Sequence, residues 1–230
     1  MQSKDIANFY DDYTSKQKKT GVNARHRTIL KRLKRFGLEP NHRVLEIGCG
    51  IGTVTGLLAA YLEKGQVVGV DISPKSVELA RKNLSKFGNA EFVVSDMSSF
   101  SHSSKFDVVL LPDVLEHIPV DQHANLFRVI RENIHENSFV AINLPNPYYL
   151  DWIRVNKPEL LQIIDQSIYT NLLLPNVYAS DMFLFHLESY SLFSNESNYQ
   201  WIILKPNRPY HPGQPDKISL AIENFKTRIG

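Results

Sequence analysis

Cysteine is almost absent from this chain. Cys49 is the only one in 230 residues, so no intrachain disulfide can form, and a reducing compartment fits. No apolar run approaches the ~18 residues of a membrane span, so no membrane insertion is expected. Met1 to Lys19 is polar and lacks the apolar core of a secretory signal, which points to a cytoplasmic protein. Charge of one sign is scarce as well. Twenty-six Lys and Arg face 24 Asp and Glu, and the net charge is +2. That is too mild and too scattered for a nucleic-acid partner. The densest basic run, Arg25 to Arg35, alternates with Ile29, Leu30 and Leu33 at helical spacing. It reads as the solvated face of an amphipathic helix.

What is present suits one globular α/β domain: 43% hydrophobic and 22% charged residues. A helix is expected from about Asn23 to Phe36. Strands near 43–47, 66–70, 91–95, 106–111 and 138–144 then alternate with helices near 53–63, 75–87 and 121–135. Such alternation implies a parallel sheet wound on both faces. Residues 145–178 break the pattern, with a helix expected from Pro158 to Tyr169. Apolar runs at 181–190 and 199–205, joined by Ser194-Asn195-Glu196-Ser197, read as an antiparallel hairpin. The single domain, 1–230, then divides into an N-terminal helical cap (about 1–37), the sheet, an acceptor-side insert (about 145–179) and a tail (about 206–230) with a short helix from about Pro215.

The most informative stretch is Val44-Leu-Glu-Ile-Gly-Cys-Gly-Ile-Gly52. A buried strand runs into glycines at 48, 50 and 52, the arrangement that brings backbone against a nucleotide-like ligand. The dinucleotide fingerprint G-x-G-x-x-G would need glycine at 53, which is Thr53, and an acidic Glu46 precedes the turn. A carboxylate there suits a cationic ligand better than a pyrophosphate. The stretch resembles the first motif of the class I S-adenosylmethionine-dependent methyltransferases, E/D-x-G-x-G-x-G, and the resemblance runs from about residue 42 to about 145. It implies a Rossmann-like fold of seven mostly parallel strands with the last one antiparallel, and S-adenosyl-L-methionine as cofactor.

The resemblance gives downstream residues their roles. Asp71 stands at the tip of the second strand, 23 residues after Gly48, where an acidic residue accepts from ribose hydroxyls. The alternative is that it shares in capping the next helix, for which Ser73 is the N-cap and Pro74 the first residue. Ile72 adjoins it. Asp96 and Met97 follow the third strand, where an acid meets the adenine amine and the next side chain packs on the ring. Cys49 and Pro112 complete the expected cofactor set with Glu46, Gly48, Gly50 and Gly52. Leu115-Glu116-His117-Ile118-Pro119 is similar to the segment after the fourth strand in small-molecule methyltransferases of the quinone-biosynthesis type. His117 is the first candidate for a general base and Tyr13 the second, because a neutral imidazole can take a proton from an alcohol or phenol. The alternative is that His117 contacts cofactor or caps a helix. Tyr148, Tyr149, Trp152 and Arg154 are the candidate acceptor wall, or else core beneath the insert.

No metal is expected. Asp113, Asn143 and Asn146 lack the adjacent acid–amide pair of magnesium-dependent relatives. The function these residues imply is methyl transfer to a small-molecule acceptor, at a hydroxyl of a sugar, phenol or other metabolite. N-methylation of a small amine, modification of a macromolecule and a non-catalytic cofactor-binding role are the alternatives. A homodimer stays open.

Overall fold

The structure, a computed structural model, describes residues 21–209. Tyr13, most of the expected N-terminal cap and the tail from residue 210 lie outside the described residues. Helix α1 (Ala24–Arg35) starts at Asn23, whose side chain accepts from the N–H groups of Arg25 and His26 at 3.0 and 3.4 Å. The Asn23 N–H in turn donates to His26 Nδ1 at 3.1 Å. This is a capping box in which histidine takes the place usually held by Glu or Gln. Strands β1 (Arg43–Ile47), β2 (Gln66–Asp71), β3 (Ala90–Val94), β4 (Phe106–Pro112) and β5 (Ile134–Pro145) follow. Between them lie α2 (Thr53–Tyr61), α3 (Pro74–Asn83) and α4 (His123–Glu132). Helices α5 (Pro147–Asn156) and α6 (Thr170–Ala179) then lead to the hairpin β6 (Met182–Tyr190) and β7 (Tyr199–Pro206).

These form one seven-stranded sheet in the order β3-β2-β1-β4-β5-β7-β6. β1 to β5 pair in parallel, while β7 runs antiparallel to both β5 and β6. Alternation along β1 feeds two cores. Leu45 and Ile47 pack with Phe127 and Ile130 of α4 and Leu173 and Val177 of α6. Val44 packs with Ile29 and Leu33 of α1 and Val54 and Leu58 of α2. Each such buried aliphatic side chain contributes about 1.5–3 kcal/mol, which holds the strand ends in fixed places. The chain builds outward from β1 to β3, then crosses back to β4 on the other side. The crevice at the carboxyl ends of β1 and β4 is therefore the switch point where open α/β sheets bind ligands.

The expected helix from Pro158 to Tyr169 does not form. Pro158–Leu160 makes one 3-10 turn, and residues 161–169 are irregular. Their polar groups bond elsewhere. The Gln162 N–H goes to the Asp165 carboxylate at 2.5 Å, and the Gln166 N–H goes to the Glu116 carbonyl at 2.9 Å. Helix begins instead at Pro147, where Asn146 caps the Tyr148 N–H at 3.1 Å.

Candidate active site

A cleft of about 290 Å³ opens at the switch point, at the lower end of small-molecule sites. Its floor is the turn after β1. Gly48 and Gly50 both take positive φ, 76° and 52°. At Gly48 a β-carbon would sit 2.2 Å from Val114 Cγ2, so only glycine lets the turn pass beneath the β4 exit. The N–H groups of Gly48 and Cys49 both reach the Val70 carbonyl, at 2.7 and 2.9 Å, which ties the turn to the end of β2.

Four acidic side chains border the cleft, Glu46, Asp71 and Asp96 on one side and Asp113 on the other. Glu46 is 1% exposed and accepts the Thr55 hydroxyl at 2.6 Å. Among the described residues no cationic side chain pairs with it. Burial pushes its carboxyl up to about 8 against the pull of the Thr55 hydrogen bond. A carboxyl held neutral by burial alone would ionise beside a cationic ligand, so the position suits one. Asp71 is a cap as well as a wall. Its Oδ2 accepts the Gly50 N–H at 2.8 Å and its Oδ1 the Ser73 N–H at 2.9 Å, so the helix-start reading and the cleft position both hold. Ser73 caps α3 as expected, accepting from the Ser76 N–H at 3.0 Å. Asp96 lines the opening. Hydrogen bonds from Ser98 hold its carboxyl below the usual range. Met97 is buried behind it at φ 65°, and Cys49, Ile72 and Pro112 also line the cleft.

The β4 exit supplies the opposite wall. Asp113 takes φ 57°, accepts the Asn143 amide at 2.9 Å and pairs with Arg25 of α1 at 3.0 Å. Asn143 in turn accepts the Tyr190 hydroxyl at 2.5 Å. Arg25 is thus turned inward, not onto the solvated face that its basic neighbours suggest.

His117 lines the cleft, and its neighbours favour a proton on the ring. Its Nδ1 lies 2.6 Å from the Ile164 carbonyl and 3.1 Å from Asp165, and its Nε2 lies 3.8 Å from Glu116. Burial would lower its pKa, but Glu116, Asp165 and the Ile164 carbonyl outweigh that and push it up to about 9. These neighbours favour the imidazolium, in which both nitrogens donate. The Gln162 amide 3.1 Å from Nε2 must then present its oxygen to the ring. His117 thereby ties segment 161–166 over the cleft, and Gln162 becomes part of the lining.

Several expected site residues are not brought to the cleft. Gly52, at φ 87°, is the N-cap of α2, and its missing side chain makes room for Leu84. Tyr148, Tyr149, Trp152 and Arg154 stand on α5, away from the lining residues. Tyr148 is 72% and Trp152 48% exposed. Tyr149 stacks on Trp152, and Tyr148 meets Tyr169 edge-on. Arg154 braces the insert, reaching Asp151, Ser167 and the Asp165 carbonyl. Tyr13 lies outside the described residues. The lining residues not foreseen include Arg25, His26, Gln122 and Gln162.

Sheet order, glycine turn and acidic strand ends together define a class I methyltransferase fold. Residues 44–137 match the family described as "Methyltransferase domain". The chain is 31% identical over 110 residues to a probable cobalt-precorrin-6B C(15)-methyltransferase (decarboxylating) of Thermoplasma acidophilum, covering 46% of this chain and 52% of the relative. It is 34% identical over 80 residues to a ubiquinone biosynthesis O-methyltransferase of Thiobacillus denitrificans, 34% of either chain. The chain spans about half the length of the first curated relatives it matches. Magnesium protoporphyrin IX methyltransferase from Synechocystis, solved with bound SAH, superposes with a TM-score of 0.68 at 15% identity. That match covers 89% of this chain and 99% of the other and shows the shared fold.

Proposed function

We propose that the chain transfers a methyl group from S-adenosylmethionine to an oxygen of a small-molecule acceptor. The observation that carries this reading is Glu46: a buried carboxyl that no cationic side chain among the described residues pairs with, lining a cleft at the sheet's switch point, where a cationic ligand would draw it into its charged form. When bound, S-adenosylmethionine supplies an electrophilic methyl on a sulfonium cation. The chain's own residues bind and orient. The glycine turn admits the ligand close to backbone, Asp71 and Asp96 offer acceptors for hydroxyl and amine groups, and Met97 offers an apolar face. Holding the nucleophile in line with the methyl lowers much of the barrier, because the leaving thioether is a good one.

The relatives that share this half carry names with different acceptors, a precorrin carbon in one and an O-methyltransferase of ubiquinone biosynthesis in another. The glycine turn and the acids therefore speak for the cofactor, and the acceptor must be read from the β4 exit. A protonated His117 there favours an acceptor oxygen that needs no base from this ring. Calorimetry tests the reading. S-adenosylmethionine or S-adenosylhomocysteine should bind at about micromolar strength, and NADH should not. NADH binding without response to either sulfur compound would sink it.

A further inference from the structure

Helix α5 carries an apolar face that no other element among the described residues covers. Tyr148, Trp152 and Val155 recur at the four- and three-residue spacing of one helix face and are 72%, 48% and 80% exposed. The opposite face packs inward through Leu150 and Ile153. The chain after α5 widens the exposed surface. The Leu160 N–H bonds the Lys157 carbonyl in the turn that follows the helix, and the segment then runs back alongside it. Arg154 reaches the Asp165 carbonyl and the Ser167 hydroxyl, and Tyr169 meets Tyr148 edge-on. Leu160 and Ile163 lie on this return and are 60% and 38% exposed.

Size and charge narrow what can cover this face. At about 150–250 Å² for a full side chain, these five residues present on the order of 550 Å². A standard interface buries about 800 Å² on each partner, of which roughly 450–520 Å² is apolar. The face therefore supplies the apolar share of one such interface. Its rim carries both signs in equal number. Asp151 and Arg154 pair within the chain, which leaves Lys157 and Glu159 as the rim charges without an ion-pair partner among the described residues. Lys157 stands over the Trp152 ring at 5.7 Å. One charge of each sign beside a neutral apolar centre is complementary to itself under a two-fold rotation, since each Lys157 can meet the partner's Glu159. An anionic membrane surface selects clusters of Lys and Arg, which this balanced rim lacks.

We propose that α5 and the return segment form an isologous interface with a second copy of this chain, and that the second copy backs the segment closing the cleft. The link to the cleft lies in adjacent residues. Gln162 lines the cleft beside His117, while Ile163 next to it is exposed on the outside. His117 ties the inner side of the segment through the Ile164 carbonyl and Asp165. The second copy covers the outer side. A single chain keeps the first tie and lacks the second.

Sedimentation equilibrium of the full chain from about 1 to about 200 µM spans the range in which an interface of this size associates. The mass should rise to that of two chains. Trp152→Glu, which sets like charges at the centre, should hold it at one chain throughout. Phe185→Glu changes a 52% exposed aromatic on β6 and should still dimerise. The thermal midpoint of each variant reports that it folds. Lys157→Glu should weaken association about tenfold or more, because it sets Glu against Glu, and adding Glu159→Lys should restore it. Hydrogen exchange at the Gln162 and Gln166 amides should be faster in folded Trp152→Glu than in the dimer. A single-chain mass for the wild type at every concentration would overturn the proposal. So would a dimer that survives Trp152→Glu, a charge exchange that fails to restore association, or equal exchange in monomer and dimer. A wild type that stays monomeric yet sediments with phosphatidylglycerol vesicles, and loses this with Trp152→Glu, would assign the face to a membrane instead.

Discussion

Replacing His117 by Gln tests whether the ring is a charged latch. In the folded chain its pKa is about 9, against 6.5 for a free imidazole. The group binds its proton more tightly when folded, so its contribution to stability is complete below pH 6.5 and is lost as pH climbs through 9. A rise of about 2.5 units at about 1.4 kcal/mol each corresponds to about 3 kcal/mol. The side chain is only 11% exposed, so solvent screens this little. Urea unfolding of both proteins at pH 6 and pH 9.5 measures the difference. The wild type should lose about 3 kcal/mol more than His117→Gln across that span. Buried Glu116 titrates nearby, its carboxyl pushed up to about 8 by burial, and an acid shifted upward also loses stability as pH rises through the same region. Repeating the pair in a Glu116→Gln background separates the two, and the His117 share should shrink there because Glu116 is the leading carboxylate that raises the ring. Parallel pH curves for wild type and His117→Gln would refute the latch. Hydrogen exchange adds a local reading: the backbone amides of Gln162 and Gln166 should exchange faster in the variant, since the ring holds their segment through the Ile164 carbonyl.

Other outcomes follow from the same geometry. With His117 an imidazolium, turnover at saturating substrate should stay flat through pH 6.5, and a rate that climbs with a pKa there would restore the ring as a base. Gly48→Ala places a β-carbon 2.2 Å from Val114 Cγ2 at a φ of 76°, which should cost about 2–4 kcal/mol in urea unfolding. Glu46→Gln should weaken S-adenosylmethionine, a sulfonium, more than the neutral thioether S-adenosylhomocysteine, and equal losses would show that the carboxylate does not sense the ligand's charge. Asp71→Ala should cost about 1.5–3 kcal/mol of cofactor affinity by calorimetry, through both a lost ribose partner and a loosened Gly50 turn.

The sheet was legible because its signals are local. Parallel central strands are buried on both faces, so they stand out as apolar runs, and each ends at a residue that cannot continue it: Gly48, Asp71, Pro112. Ser73-Pro74 announces a helix start by short-range chemistry alone, and the structure places the cap there. The insert was not legible for the opposite reason. Pro158 to Tyr169 has apolar residues at helical spacing, yet its backbone and side chains bond to Glu116, His117 and Ile118, more than 40 positions away. No local pattern records such partners.

The same distinction divides the site. The residues that touch the glycine turn are read from spacing, because one strand–turn–helix unit places them together. The acceptor wall depends on which helix packs over the β4 exit, and composition misleads there. Aromatic residues on α5 suggest a binding surface, but Tyr149 and Trp152 stack on each other outside the cleft. Arg25 suggests a solvated face because its neighbours are basic, but a helix that begins at the rim turns its first residues inward. The one sequence signal for this is histidine at the capping-box position three residues after Asn23, where Glu or Gln is usual. A carboxylate there would have set a negative charge beside Arg25. Histidine satisfies the same backbone N–H through Nδ1 and leaves a second donor at Nε2, so a change that is neutral for the helix alters what the cleft can hold.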